Sequence, residues 1–444
     1  MKLNPWLGIA LYLALISALF ASLRAYQQKR APHPEWVRKL AHVGTGLITL
    51  GLPWLFPSAW PVLLLAVLSI SAIIARKSFS SVGQHLSQVL DGVARSSGGE
   101  LYFPLSVAVV FVLSRGDPLL FSIPVLILTF ADAAAALAGV RYGQLRYHAG
   151  EGEKSAEGSI AFFTVAFLST HIPVLLFTQV GRAESLLIGL MLGLVAMLLE
   201  AIAWRGLDNL FIPLGGFILL KIYLEMDLRA LVACFSVTFL LVIFVLVFRR
   251  HTTLNTGALL GAAFVGYLFW AVGGWTWLVP PVVLFVTYTM LSPRTEWNIM
   301  RVHNVHAMFS VTSAGLLWAF MGKALHNPQF YYPYSLGFAA HLSMIGIARL
   351  RKDFPAMPVP ALMASCVLKG WLIVFLPYYL IEGMTMVAAL RALAGAGITA
   401  LAALLFYYVQ PGMEDCPIDR ARWLRQASVG ALTSALGLIP IYMV

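Results

Sequence analysis

Long apolar runs follow one another along almost the entire chain. Each is about the 17 to 25 residues that a helix needs to span the hydrocarbon core of a bilayer, although some are shorter. The runs lie near residues 5–23, 40–56, 59–75, 101–114, 117–140, 158–180, 185–203, 209–223, 229–248, 253–272, 275–292, 304–322, 333–348, 360–380, 384–408 and 427–444. The pattern predicts an all-α polytopic integral membrane protein with about 15 transmembrane helices.

The basic residues predict the orientation of these spans. Most of the 30 Lys and Arg fall between alternate runs, as expected if those loops are cytoplasmic. The first basic group, from Arg24 to Lys39, follows the first run, so we expect the N-terminus to lie outside. Only Lys2 precedes the first run and no small-residue cleavage site follows it, which predicts an uncleaved span. Strict alternation requires that one short run does not cross the membrane but pairs with another run or re-enters on the same side. The run at 209–223 is the weakest candidate for a full crossing.

Composition excludes several classes of protein. Hydrophobic residues make up 60% of the chain and charged residues 11%, which rules out a soluble nucleotide-binding domain. The net charge of +11 is mostly the topology signal just described, and without a basic soluble face it predicts no nucleic-acid partner. The three cysteines lack CxxC spacing and predict neither a zinc site nor a disulfide framework.

One segment, "HAGEGEKSAEGS" at 148–159, has the composition of a phosphate-binding loop. A Walker loop requires a glycine directly before its lysine, and here Glu153 precedes Lys154. The Walker geometry is therefore not encoded. Phosphate contact through Lys154 and through the amides at the start of the next helix stays open.

An acid at membrane depth is the most informative single residue. Asp132 in "LTFADAAAALAGVRYG" lies about two turns inside its predicted span, where an ionisable group costs roughly 2.5–3.5 kcal/mol on insertion scales. Gly139 and Gly143 follow on nearly the same helix face. A seam of small residues for helix packing would explain the glycines but not Asp132. We therefore expect a functional role for Asp132.

Other charged residues are predicted to share the cytoplasmic side with Asp132. Four are acids that begin or end neighbouring spans: Glu100, Glu157, Glu200 and Asp208. Each acid alone is equally explained as a helix cap or a dipole partner. Four are basic: Arg38, Lys39, Arg95 and Lys154. Carboxylates for Mg²⁺ or another divalent cation, beside cations for phosphate oxygens, are what phosphoryl transfer requires.

The order of these motifs resembles that of the polyprenol kinase family. The motifs are "RKLAHVGTGL", "GELYFPL", Asp132 with "GVRYG", "GEKSAEGS" and "EAIAWRGLDNLFIPL", over about residues 30 to 248. The family comprises dolichol kinases, phytol kinases and CTP-dependent diacylglycerol kinases, and is related to phosphatidate cytidylyltransferases. The resemblance implies transfer of the terminal phosphate of CTP to the hydroxyl of a membrane lipid alcohol. It also implies a divalent cation and a site facing the cytoplasm, and we expect the cytoplasmic membrane as the location.

The resemblance assigns roles by position. The predicted catalytic residues are Asp132, Lys154 and Glu157, and the predicted metal ligands are Asp132, Glu100, Glu157 and Asp208. The predicted nucleotide-binding residues are Arg38, Lys39, Arg95, Gly139, Gly143, Ser155, Gly158 and Ser159. Three further residues complete the predicted site: His42, Glu200 and Asn209.

The second half, residues 249–444, resembles a phytyl-phosphate kinase-like membrane domain that has lost its central acids. That family's Asp-Thr-Trp-Ala-Ser-Glu stretch would fall near "FAAHLSMIGIARLRKD", which lacks both acids. We therefore predict a catalytically silent domain that binds lipid or serves assembly, after a CTP-dependent lipid kinase-like domain at 1–248. Retained activity through loop residues is the alternative.

Two other functions remain open from the sequence. A phosphatidate cytidylyltransferase-type enzyme would use the same CTP and metal but release pyrophosphate and make a CDP-lipid. A non-enzymatic lipid carrier or flippase would consume no CTP and would need charges on a path to both leaflets. The predicted partners are CTP, the lipid alcohol and membrane lipids.

Overall fold

The chain is a bundle of apolar helices. A computed structural model describes residues 4–78, 98–149, 152–203, 206–248, 252–290, 303–413 and 419–443. Of the described residues 85% are helical, and they form nine helices long and apolar enough to cross a membrane, besides shorter apolar ones. The predicted all-α polytopic membrane protein is thereby confirmed, whereas the predicted number of about 15 spans is not.

The helices form two compact units, Met1–Phe239 and Leu240–Val444. The predicted domain boundary at 248/249, and the silence of the second half, stay predictions. Helices α1 to α11 carry the chain through the first unit and to its end: Pro5–Arg30, Pro34–Leu50, Leu52–Leu55, Trp60–Ser78, Gly99–Ser114, Pro118–Leu126, Asp132–Tyr142, Ala156–Phe177, Arg182–Ile202, Asp208–Leu224 and Leu228–Phe248.

The core of the first unit is apolar and lies between its first helices and α5, α6 and α10. Phe56, Phe111, Phe121 and Val125 are among its buried members. Burial of a side chain of this size stabilises a water-soluble fold by about 1.5–3 kcal/mol, but in lipid the gain comes from close packing instead. Helix α6 is capped by Asp117. The Oδ1 atom of Asp117 accepts hydrogen bonds from the backbone amides of Leu119 and Leu120.

Helices α6 and α7 are joined without a loop by a π-helical turn, Ile127–Ala131. The extra residue of a π turn locally rotates the helix face that follows it, and such turns are frequent at functional sites. Asp132 is the first residue after the turn. The sequence gives no signal for this turn.

A small hairpin interrupts the helical pattern between α7 and α8. Strand β1, Arg146–Ala149, pairs antiparallel with β2, Gly152–Ser155, and Tyr147 lies opposite Lys154. Ser155 then caps α8, because its Oγ accepts a hydrogen bond of 3.1 Å from the Gly158 amide. The predicted lysine loop is thus a strand that leads into a capped helix.

The second unit surrounds one buried helix. Its helices α12 to α19 are Thr256–Gly273, Trp275–Met290, Val305–Ala324, Tyr331–Asp353, Val359–Ile381, Met386–Val409, Arg420–Ala435 and Leu438–Met443. Helix α15, Tyr331–Asp353, packs against α13, α14, α16, α17 and α18, and all residues from Tyr331 to Met344 are buried. The apolar run predicted at 333–348 therefore forms the centre of this unit.

Candidate functional site

Asp132 is held at the start of α7 by two side chains of α2. The ammonium of Lys39 lies 2.8 Å from Asp132 Oδ2 and also donates to the Asp132 backbone oxygen at 3.3 Å. His42 Nε2 lies 3.4 Å from the same Oδ2 and 2.9 Å from the backbone oxygen of Leu128. Lys39 and His42 are three residues apart and so share a helix face. The structure brings these three predicted residues together.

Close packing of α2 on the π-helical turn makes this contact possible. Gly46, one turn beyond His42, faces Thr129, and a Cβ at position 46 would overlap the Thr129 side chain. Thr129 lies inside the π-helical turn and is fully buried. The absence of a side chain at Gly46 therefore sets how near the two helices come.

A second lysine and carboxylate pair lies at the hairpin. Lys154 donates to Glu200 Oε1 at 2.6 Å and to the Glu200 backbone oxygen. Glu200 lies in the last turn of α9, where exposed carbonyl groups favour a cation. Lys154, predicted to bind phosphate, thus forms an ion pair with Glu200.

The hairpin is fixed to α8 by a further hydrogen bond. The hydroxyls of Tyr147 and Ser159 lie 2.6 Å apart. Burial, opposed by the hydrogen bond to Ser159, raises the pKa of the Tyr147 phenol above its ordinary value. Tyr147 therefore stays neutral at physiological pH. The sequence reasoning did not find Tyr147, because its partner is set by the hairpin and not by sequence spacing.

Asp208 lies within electrostatic range of both pairs. The charges of Asp132, Lys154 and Lys39 all act on it, yet it forms no ion pair with any residue in the described ranges. Next to it, Asn209 donates a hydrogen bond of 3.1 Å to the backbone oxygen of Gly99, which ties α10 to the start of α5. Glu100 is the next residue of α5 after Gly99 and so lies beside this hydrogen bond.

Arg38 lies at the edge of the same group. It forms an ion pair with Glu35, with N–O distances of 2.5 and 3.1 Å, and its side chain is 47% exposed. The charges of Asp132 and Asp208 also act on Arg38. Glu35 was missed by the sequence reasoning, although its spacing of three from Arg38 on a helix is a readable signal.

Several predicted residues are engaged elsewhere. Glu157 Oε1 accepts a hydrogen bond from the Leu145 amide at 3.2 Å, so this acid braces the hairpin. The glycines predicted to approach a nucleotide instead face protein atoms: a Cβ at Gly143 would lie 2.9 Å from Ser155, and one at Gly158 would lie 2.9 Å from the Ala135 oxygen. Gly139 likewise faces Ser155. Their nucleotide contacts stay predictions, and Arg95 lies outside the described residues.

A metal site is only partly formed by these residues. Nowhere in the described ranges do three His, Cys, Asp or Glu side chains meet as a metal-binding group. Asp132 and Glu200 each pair with a lysine, whereas Asp208 forms no ion pair within the described ranges and fits a cation. One carboxylate is compatible with Mg²⁺, which is commonly bound through one or two carboxylates plus substrate phosphates and water.

Comparison with known proteins gives one informative match. A phytol kinase from Synechocystis sp. is 27% identical over 221 residues, which are 49% of this chain and 91% of that protein. No protein-family model matches the chain, and no solved structure matches it. The similarity supports a polyprenol or phytol kinase-like family for about half of the chain.

Proposed function

We propose that this protein transfers the terminal phosphate of CTP to the hydroxyl of a membrane lipid alcohol. The similarity to a phytol kinase supports lipid-alcohol kinase activity; the nucleotide and the cytoplasmic face are part of the proposal. The alcohol class is phytol, another prenol, a dolichol-type polyprenol or diacylglycerol. The products are a lipid monophosphate and CDP.

One observation carries the proposal: two lysine and carboxylate pairs, Lys39–Asp132 and Lys154–Glu200, lie close enough to Asp208 for the charge of each pair to act on it. Transfer of a phosphoryl group depends mainly on positioning and on neutralising charge around a loose transition state. The Lys154 ammonium can bind phosphate oxygens while the Lys39 ammonium holds Asp132, and Asp208 would hold a divalent cation together with those phosphates. A bound cation supplies charge neutralisation between the nucleotide phosphates.

Each side chain then has a defined task. Arg38, which is exposed beside the group, binds triphosphate oxygens. Lys154 moves part of its hydrogen bonding from Glu200 to phosphate when the nucleotide enters. Lys39 keeps its ion pair with Asp132 and so fixes the position of Asp132, beside which the lipid hydroxyl binds. The oxygen of that hydroxyl attacks the terminal phosphorus as the bond between this phosphorus and the CDP oxygen breaks, and the hydroxyl proton is released to water.

The test uses purified full-length protein in detergent with γ-labelled CTP, Mg²⁺, several prenols and diacylglycerol. Label in an organic-phase lipid monophosphate, lost in Asp208→Asn, is the expected result. Label released as pyrophosphate would identify a cytidylyltransferase instead. No CTP turnover with any lipid would contradict both enzymes and leave a lipid carrier. A diphosphate product would contradict the proposed silence of the second unit.

A further inference from the structure

The hydrogen bonds of His42 fix which of its ring nitrogens carries the proton. Nε2 lies 2.9 Å from the backbone oxygen of Leu128. A carbonyl oxygen can only accept, so Nε2 must donate and must carry the hydrogen. In the neutral ring Nδ1 is then a bare acceptor.

Two surrounding groups reinforce this tautomer. The carboxylate of Asp132 is a second acceptor on the Nε2 side of the ring, at 3.4 Å. The contact between Gly46 and Thr129 holds α2 against the π-helical turn that contains Leu128. Both acceptors therefore face Nε2, and rotation of the ring would bring the unprotonated nitrogen against them.

Nδ1 has no hydrogen-bond partner among the residues that the structure describes. The His42 side chain keeps 18% of its surface exposed, and the ring of Phe103 on α5 lies 6.3 Å away, centroid to centroid. His171 in the same unit differs, because its Nδ1 is taken by the Ser185 hydroxyl at 3.0 Å. The ring that carries this acceptor thus lies near both the Asp132 carboxylate and the aromatic side chain of Phe103.

We infer that Nδ1 of His42 binds the hydroxyl of the lipid alcohol and orients it for phosphoryl transfer. The inference rests on the proposed function. A lipid alcohol brings one strong donor at the end of an apolar chain, and here one acceptor lies on a ring that is close to an aromatic side chain and to the Lys39–Asp132 pair. The hydroxyl donates to Nδ1, which leaves its oxygen lone pairs free to face the terminal phosphorus.

Replacing His42 by Gln or by Asn tests the roles of its two ring nitrogens separately. His42→Gln places an amide nitrogen where Nε2 lies and keeps the bond to Leu128, but removes the Nδ1 acceptor. His42→Asn places its amide near Nδ1 and keeps an acceptor there, but loses the bond to Leu128. We expect His42→Gln to lower kcat/KM for the alcohol by about 10²-fold, with KM for CTP within about twofold. We expect His42→Asn to be less thermally stable yet more active per folded molecule.

If His42 only stabilises the packing of α2 on the π-helical turn, we expect the opposite order of activities for His42→Gln and His42→Asn. Activity of His42→Gln equal to or above that of His42→Asn would overturn the inference, as would a rise in KM for CTP in place of the loss for the alcohol. If His42→Gln does not fold, the same comparison is made between His42→Asn and His42→Ala, and equal activities overturn it. His171→Gln is the matched control and should keep wild-type kinetics.

These outcomes are distinct from failure of the proposed function. Wild-type protein that phosphorylates no alcohol would overturn the proposed function and this inference with it. Active wild-type protein together with an unimpaired His42→Gln variant would overturn the inference alone.

Discussion

Lys39 and Asp132, 93 positions apart in the chain, form a buried ion pair with an N–O distance of 2.8 Å. Their side chains are only 5% and 16% exposed. The Lys39 ammonium also reaches the backbone oxygen of Asp132, so the pair fixes both the carboxylate and the helix start that carries it. Removing one partner would leave the other charge buried and unpaired.

The first prediction follows from this burial. We expect Lys39→Met to lower the free energy of unfolding by about 3–5 kcal/mol, since the Asp132 carboxylate would be left without its counter-ion. Arg38→Met is the matched control on the neighbouring residue. Its partner Glu35 forms a more exposed pair with it, so its loss should cost at most about 1 kcal/mol. Unfolding in detergent, followed by circular dichroism, measures both.

The kinetic effect of Arg38→Met should differ from its small effect on stability. We expect KM for CTP to rise, because Arg38 is proposed to bind the triphosphate. Equal stabilities for the two variants would contradict the importance of the buried pair. An unchanged KM for CTP in Arg38→Met would remove Arg38 from the proposed site.

The second prediction concerns Lys154 and Glu200, whose side chains lie 2.6 Å apart. Lys154→Glu and Glu200→Lys should each lower stability, and combining them should recover part of the loss, with a coupling energy of about 0.5–3 kcal/mol. Activity should not recover, because the swapped lysine no longer lies on the hairpin. Recovery of activity along with stability would mean that Lys154 only braces the fold. Thermal unfolding and label transfer are measured on the wild type, the two single variants and the double variant to distinguish these outcomes.

The third prediction separates function from stability at Asp208. This acid is repelled by Asp132 and has no ion pair within the described ranges. Asp208→Asn should therefore leave stability unchanged or raise it by up to about 1 kcal/mol, as expected for a residue kept for activity. Phosphate transfer should fall by about 10²-fold or more.

Asp117→Ala gives the opposite signature and serves as the control for Asp208. It removes the cap of α6 and should cost about 1 kcal/mol of stability with activity retained. Destabilisation by Asp208→Asn without loss of activity would show that Asp208 is a structural acid.

The sequence predicted the membrane fold and most of the charged residues of the site. Asp132 is identifiable because an acid deep in an apolar run is costly, and Lys39 because it is a basic residue expected on the same side of the membrane. The pairing of Lys39 and His42 with Asp132 was not predictable, since contact between distant helices depends on how their surfaces pack. The sequence reasoning assigned Lys39 to triphosphate, whereas the structure pairs it with Asp132.

Two local features were not predicted from the sequence, for a different reason. The π-helical turn before Asp132 has the same apolar composition as an ordinary helix, so no residue type marks it. The two strands of the hairpin, 146–149 and 152–155, are only four residues each, and this segment was considered for phosphate contact instead of for strands. Glu157 was placed with the metal ligands, and its hydrogen bond to the Leu145 amide was not predicted; its metal role stays a prediction.

The last prediction tests the close approach of α2 to the π-helical turn. Gly46→Ala should cost about 1–3 kcal/mol of stability, because the new methyl group overlaps the Thr129 side chain and forces the helices apart. A separation of even a few tenths of an ångström lengthens the bond from His42 to Leu128, so activity should fall along with stability. Thr129→Ala, which removes the overlapping atoms, should restore part of both.

Gly397→Ala supplies the control for this substitution. Nothing lies within 4 Å of a Cβ at Gly397, which is also inside a helix, so alanine should stabilise by about 0.4–1 kcal/mol through its lower unfolded-state entropy. Opposite signs for the two variants in one thermal unfolding series are expected. A stabilising Gly46→Ala would mean that α2 can move away from the turn at no cost, and the fixed position of His42 would then lose its structural basis.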